Sequence, residues 1–189
     1  MNLAADLYRY TANVSRSSFV AAYRYKPGFR WTVWFRIVQA LRAGGRENRG
    51  WVRQALYRLA HWQMWRVGYR FGFDIPASVQ IGPGLKLGHF GGVVMQAHVK
   101  IGRNCLISHG VTVGRTPRGK RSGTPTIGDR VYVGAGAVIA GGIFVGDEAL
   151  IAPNAFVNFN VPPRSVVVGN PGRVVSENGV EGYIRNTLP

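Results

Sequence analysis

The sequence predicts a mainly β fold: a parallel β-helix assembled from six-residue units, with an α-helical segment ahead of it. Two observations lead there. From residue 75 an aliphatic residue recurs at every sixth position, the mark of a solenoid whose units stack into one continuous core. Before residue 75 that period is absent, and apolar residues fall at helical spacing instead.

The helical segment, residues 1–74, comes first. Val52, Ala55, Leu56, Leu59 and Trp62 lie at helical spacing and form its expected inward face, with Arg53, Arg58 and His61 opposite and His61 therefore in solvent. Arg30, Arg36 and Arg42 are six apart and fall on different faces, so no amphipathic helix is assigned around them. Gly44, Gly45 and Gly50 mark a helix connection. The chain has 24 Lys and Arg against 8 Asp and Glu. Of these, 13 basic and 3 acidic residues lie in residues 1–74, together with all five tryptophans (Trp31, Trp34, Trp51, Trp62 and Trp65). Basic and aromatic residues interleaved in this way suit an anionic membrane surface or nucleic acid. No nucleic-acid motif accompanies the charge, so the expectation is assembly of the chain plus peripheral membrane contact, without nucleic acid.

The solenoid spans 75–162. Its units are IPASVQ, IGPGLK and LGHFGG, then MQAHVK, IGRNCL, ISHGVT and VGRTPR, then IGDRVY, VGAGAV, IAGGIF, VGDEAL, IAPNAF and VNFNVP. All 13 open with Ile, Leu, Val or Met, although those types supply only 47 of the 189 residues, so the period is not accidental. The fifth position is small or apolar throughout, which makes the single cysteine, Cys105, a core residue. Gly91 and Pro117 are the exceptions, and each adjoins a break in the period. The first break inserts Val93 and Val94 after GHFGG; the second extrudes a loop, GRTPRGKRSGTP, over 114–125. Residues 163–189 are expected as a C-terminal tail.

One cysteine excludes an internal disulfide framework. Asp6 and Arg9 stand where a signal peptide needs its apolar run, and no stretch reaches about 18 uncharged apolar residues. The expectation is a cytoplasmic protein, with peripheral contact at the inner face of the cytoplasmic membrane.

The chemistry centres on KLGHFGG. The hexads resemble the coils of the hexapeptide-repeat acyltransferases, which implies three units to a coil of 18 residues stacked about 4.8 Å from the next, so position 92 is expected above Asp74 and lies only three residues from His89. Acid and histidine are thus expected at one corner, where a carboxylate can orient an imidazole that removes a proton from a hydroxyl.

These residues carry a family resemblance. DIPASVQIGPGLKLGH, with acid and histidine 15 residues apart, VYVGAGAVIAGGIFVG and VVVGNPGRVVSENG resemble the serine acetyltransferases among the hexapeptide-repeat acyltransferases. The resemblance implies a left-handed coil, a homotrimer that can pair into a dimer of trimers, acetyl-CoA as co-substrate along the trimer interface, and no metal. His89 becomes the general base and Asp74 its orienting partner. Gly134, Ala135, Gly136 and Ala137 lie along the pantetheine, and Arg115, Arg118, Lys120 and Arg121 of the loop, or Arg173, meet the CoA phosphates.

The family's serine contacts are an Asp before Pro, an Asp before the histidine, and an Arg-His before Pro. Here Lys26 precedes Pro27, Gly88 precedes His89, and Gly123 and Thr124 precede Pro125. The family's terminal isoleucine, which docks cysteine synthase, is replaced by Leu188 and Pro189, so no such complex is expected. GHFGG and ADLYRY are closer to the acetyltransferases of bacterial exopolysaccharide and capsule synthesis, which implies a sugar hydroxyl as acceptor. Lys26, Gly88, Phe90 and Thr124 then form the acceptor pocket, with Phe90 available to stack on a sugar ring. The alternatives are a serine O-acetyltransferase of cysteine biosynthesis, a zinc hydratase using His89, His98 and His109 across a trimer, and a non-enzymatic scaffold.

Overall fold

The computed structural model describes residues 2–43 and 50–188, so Gly44, Gly45 and Pro189 lie outside the described residues. Four helices come first: α1 (Asn2–Thr11), α2 (Arg16–Tyr25), α3 (Pro27–Arg42) and α4 (Trp51–Phe71). Their boundaries follow local chemistry. The Ser15 hydroxyl caps α2 by accepting from the Ser18 amide at 3.1 Å. Pro27 opens α3, where its missing N–H costs nothing, and Gly72 closes α4 in the left-handed region at φ 76°.

Short strands then stack into three parallel sheets, the faces of a prism. The first face holds Phe73–Asp74, Val93–Met95, Thr112–Gly114, Val138–Ala140 and Phe156–Val157. The second holds Gln80–Ile81, Lys100–Ile101, Thr126–Ile127 and Phe144–Val145. The third holds Lys86–Leu87, Leu106–Ile107, Tyr132–Val133, Leu150–Ile151 and Val166–Val168, closed by the antiparallel strand Arg173–Ser176. First and fifth positions of the units point inward, and Val79, Ile107, Val133 and Cys105 are at most 1% exposed. In most units the fourth position turns the corner in the left-handed region: Gly84, His98, Asn104, Gly110, Arg130, Gly136, Glu148 and Asn154 have positive φ, as does Arg164 beyond the last unit.

Both breaks are present, and the first sits elsewhere than expected. Val93 and Val94 are strand residues paired with Phe73 and Asp74. Val93 is fully buried and takes the fifth, inward position that the reading had given to Gly91. The two extra residues are therefore His89 and Phe90, pushed out of the corner, because a valine fills the core where a glycine would leave a void. By the same shift Asp74 lies beside Val94 rather than position 92. At the second break Val113 pairs with Ile139, 26 residues on, where an uninterrupted coil gives 18. The excess forms a lobe pinned by paired amide-to-carbonyl bonds between Thr116 and Gly123 at 2.9 and 3.0 Å.

The helices cover the open end of the prism. Backbone groups of the first coil have no preceding coil to bond, and side chains take its place. Arg42 donates to the Ala77 carbonyl at 2.9 Å, Arg36 to those of Ile81 at 2.7 Å and Gly82 at 2.6 Å, and Arg9 to that of Gly84 at 3.1 Å. The Tyr10 hydroxyl donates to the Leu87 carbonyl at 3.2 Å and accepts from the Leu87 amide at 2.8 Å. The Asp6 carboxylate accepts from the Gly84 and Leu85 amides at 2.8 and 2.9 Å and, through both oxygens, from Arg36 at 2.7 and 3.1 Å. Burial pushes the Asp6 carboxyl upward, opposed by Arg36 and the two amides. Much of the N-terminal positive charge is thus spent on carbonyls inside the molecule.

α4 differs from its sequence reading. It packs on α3 through Ala60, Met64 and Gly68, a narrow seam of residues four apart. Gly68 lets the chain double back tightly into the first strand, since a Cβ there would lie 2.5 Å from the Phe73 carbonyl oxygen. Val52, Ala55, Leu56, Leu59 and Trp62, read as the inward face, are all exposed.

Residues 163–172 are not the start of the expected tail but carry the last parallel strand of the prism, Val166–Val168, and residues 173–188 pack back on it. Val180 and Ile184 cluster with Leu150 over the third face, and the Tyr183 and Tyr132 rings lie 4.9 Å apart. Arg9 of α1 donates to the Arg185 carbonyl, joining the two ends of the chain.

Candidate active site

The edge between the third and first faces carries His89, the candidate base. Gly72, Gly92, Gly110 and Gly136, all left-handed, stack along it. The Gly110 amide bonds the Gly91 carbonyl at 2.8 Å, Gly136 bonds that of His109 at 3.0 Å, and Asn154 bonds that of Ala135 at 2.8 Å. Their rigid ladder holds Gly88 and the extruded His89 and Phe90 at one level and Gly134–Ala137 two coils further on. Gly88, His89 and Phe90 all face solvent.

The His89 ring lies 5.8 Å from that of His109, edge to face. His109, also exposed, stands on the same edge one coil on. The sequence reading had weighed it only as a metal ligand. Its signal was the strand register that sets Leu87 against Ile107, which places His109 beside the GHFGG corner.

Asp74 is exposed on the first strand, two residues past Gly72, on which Gly92 stacks. Among the described residues no hydrogen bond or ion pair joins it to His89. Its carboxylate lines a cavity of about 680 Å³ walled by Trp31, Met64, Trp65, Tyr69 and Gly92.

The N-terminus of α3 meets this edge. A Cβ on Gly28 would lie 2.7 Å from the Leu87 carbonyl oxygen, so the helix start abuts the strand leading to His89. Lys26 faces solvent there, and burial, then the charges of Arg9 and Lys26, lower the Lys86 ammonium. Lys26 and Gly88 are thus brought to one side of the molecule. Phe90 leans toward Phe71 of α4, 6.3 Å between rings.

Thr124 belongs to a different edge, between the first and second faces, where its hydroxyl reaches the His98 carbonyl at 3.5 Å. The loop bearing Arg115, Arg118, Lys120 and Arg121 rises from that edge. All four are exposed, and Arg121 donates to the Asn158 carbonyl. Arg173 is exposed on the antiparallel strand of the third face. A site combining His89 with Thr124 or the loop therefore needs a second chain. His98 likewise turns the Thr124 edge, away from the other two histidines, and no group of three or more metal-ligating side chains occurs among the described residues. Burial pushes the Cys105 thiol up to about 12, and it donates to the Gly128 carbonyl at 3.2 Å, as a neutral core group.

The fold and this edge define a hexapeptide-repeat transferase: residues 126–158 match the family described as the hexapeptide repeat of succinyl-transferase. Serine acetyltransferases share far more of the chain. That of Helicobacter pylori is 34% identical over 152 residues, covering 80% of this chain and 83% of the relative. That of Mycobacterium tuberculosis is 39% identical over 137 residues, covering 65% of this chain and 58% of the longer relative. The crystal structure of Neisseria gonorrhoeae serine acetyltransferase in complex with serine superposes with a TM-score of 0.73 at 34% identity, over 93% of this chain and 68% of that one. The chain belongs to the hexapeptide-repeat acetyltransferase family, whose members are acyltransferases, and within it to the relatives of serine acetyltransferase. That kinship overturns the expected exopolysaccharide branch and its sugar acceptor: GHFGG describes a corner insertion, which sets the backbone geometry around His89 and says nothing of an acceptor.

Proposed function

We propose that the chain is a serine O-acetyltransferase that moves the acetyl group of acetyl-CoA to the hydroxyl of L-serine. The observation that carries this reading is the exposed His89, extruded on the same prism edge as the Gly134–Ala137 segment, in a chain whose relatives are serine acetyltransferases. The His89 imidazole removes the hydroxyl proton as the serine oxygen attacks the thioester carbon. The tetrahedral species collapses with cleavage of the C–S bond, and the imidazolium returns the proton to the CoA sulfur, leaving O-acetylserine and CoA. Asp74, across the Gly72–Gly92 stack from this corner, is assigned as the carboxylate that orients the imidazole during proton transfer.

The Gly134–Gly136 stretch suits a thin pantetheine arm. A Cβ on Gly134 would strike the Pro153 nitrogen at 2.5 Å, so this position stays bare and the backbone is open to a close approach. Because the basic loop rises from another edge, the phosphates would be met by a neighbouring chain, which supports a homotrimer.

The test is acetyl-CoA consumption by purified protein with and without L-serine. Turnover is expected to depend on L-serine and to saturate, and His89→Ala is expected to lower it by about 10²–10⁴-fold in a folded protein. Absence of O-acetylserine from the active protein overturns the acceptor, and full turnover by His89→Ala overturns the base.

A further inference from the structure

We propose that the solvent face of α4 is a membrane-surface binding site that lies flat on an anionic phospholipid bilayer. The helix is fully buried only at Ala60, Met64 and Gly68, with Tyr57, Val67 and Phe71 half-buried against the core beside them. Its opposite side carries Trp51 (83% exposed), Trp62 (48%), Trp65 (59%) and Tyr69 (83%), with Leu56 and Leu59 on the flank. Among the described residues nothing covers this stripe, which runs the 21 residues of the helix, about 30 Å. Phe90, 63% exposed, extends it past the C-terminal end of α4 toward His89.

Charge selects the occupant. The arginines of α1 and α3 at the prism end, Arg9, Arg36 and Arg42, bond backbone carbonyls, and Arg53 does the same at the end of α3. Arg58, Arg66 and Arg70 of α4 donate to no protein acceptor among the described residues. Arg66 lies over the Trp62 ring at 5.4 Å and Arg70 over Phe71 at 5.6 Å. α4 contains no Asp or Glu. A second copy laid on this face by a two-fold axis would set arginine against arginine with no carboxylate to pair them. A bilayer surface offers anionic phosphates to the guanidiniums and an interfacial layer that accepts indole and phenol rings. Between Tyr57, Arg58, His61, Trp62 and Trp65 lies an open depression of about 420 Å³, large enough for a headgroup. Among the described residues no helix is long and apolar enough to cross a membrane, so the contact is one of lying on the surface.

The experiment is flotation of the full chain with vesicles at low salt. Phosphatidylglycerol vesicles are expected to carry the protein and phosphatidylcholine vesicles to leave it behind. The double charge reversal Arg58→Glu with Arg66→Glu is expected to cut the bound fraction at least about tenfold. Trp51→Ser with Trp62→Ser, a pair of exposed sites that leaves the packed seam alone, is expected to do the same without altering the charge. Failure to float with phosphatidylglycerol overturns the proposal. So does flotation unchanged by both variants, which would place binding on the loop arginines. A concentration-dependent rise in mass that these substitutions abolish, without vesicle binding, would assign the face to a second copy and overturn it equally.

Discussion

Gly88 is the residue at which this chain departs most usefully from its relatives. The resemblance to serine acetyltransferases implies an aspartate before the histidine, whose charge would suit the ammonium group of serine. The structure shows that the position tolerates a side chain: a Cβ at Gly88 would find its nearest neighbours at 3.7 Å, an ordinary contact, and its φ lies outside the left-handed region. Gly88→Asp is therefore expected to lower KM for L-serine by roughly tenfold or more, the worth of one hydrogen bond to a charged group, with little change in kcat. Steady-state kinetics over a serine series reads this directly, and an unchanged KM would mean that serine's ammonium lies elsewhere. The absence of that carboxylate was legible from the sequence. The pairing of His89 with His109 was not, because the reading took Val93 and Val94 as the inserted pair and so misjudged which residues leave the corner.

Helices and strands were not equally readable. The prism announced itself because its first and fifth positions point into a space too narrow for water, which leaves aliphatic residues almost no substitutes. α4 misled for the converse reason: a helical stripe of apolar residues is taken to face the core, and here small residues form the packed seam while the large ones face out. Nor does any local pattern reveal that Asp6 and Arg36, 30 residues apart on different helices, meet in a buried pair at the prism end. That pair sets the stability of the helical segment. Arg36→Ala leaves the Asp6 carboxylate buried without its counter-charge and strips the Ile81 and Gly82 carbonyls of their donors, and a loss of about 3–5 kcal/mol is expected. Urea unfolding followed by circular dichroism measures it. Arg66→Ala, on the open face of α4, is expected to stay within about 0.5 kcal/mol and serves as the comparison.

On the scale of the whole molecule, the stacking that gives the prism its core also makes each coil a template for another. At one end the template is occupied by arginine, aspartate and tyrosine side chains. At the other, Arg173–Ser176 runs antiparallel beside Val166–Val168, with a register shift between Val166 and Val167. Removing residues 173–188 bares the edge of Val166–Val168 and the apolar patch around Leu150, so light scattering and sedimentation are expected to report large aggregates where the intact chain gives a discrete particle. An unprotected stack of this kind is a fibre in waiting, with strands about 4.8 Å apart and no intrinsic length. By filling one end with ionic groups and reversing the chain direction at the other, the sequence turns a polymer geometry into a particle of fixed length, and any lengthening of the prism must enter between its two stoppers.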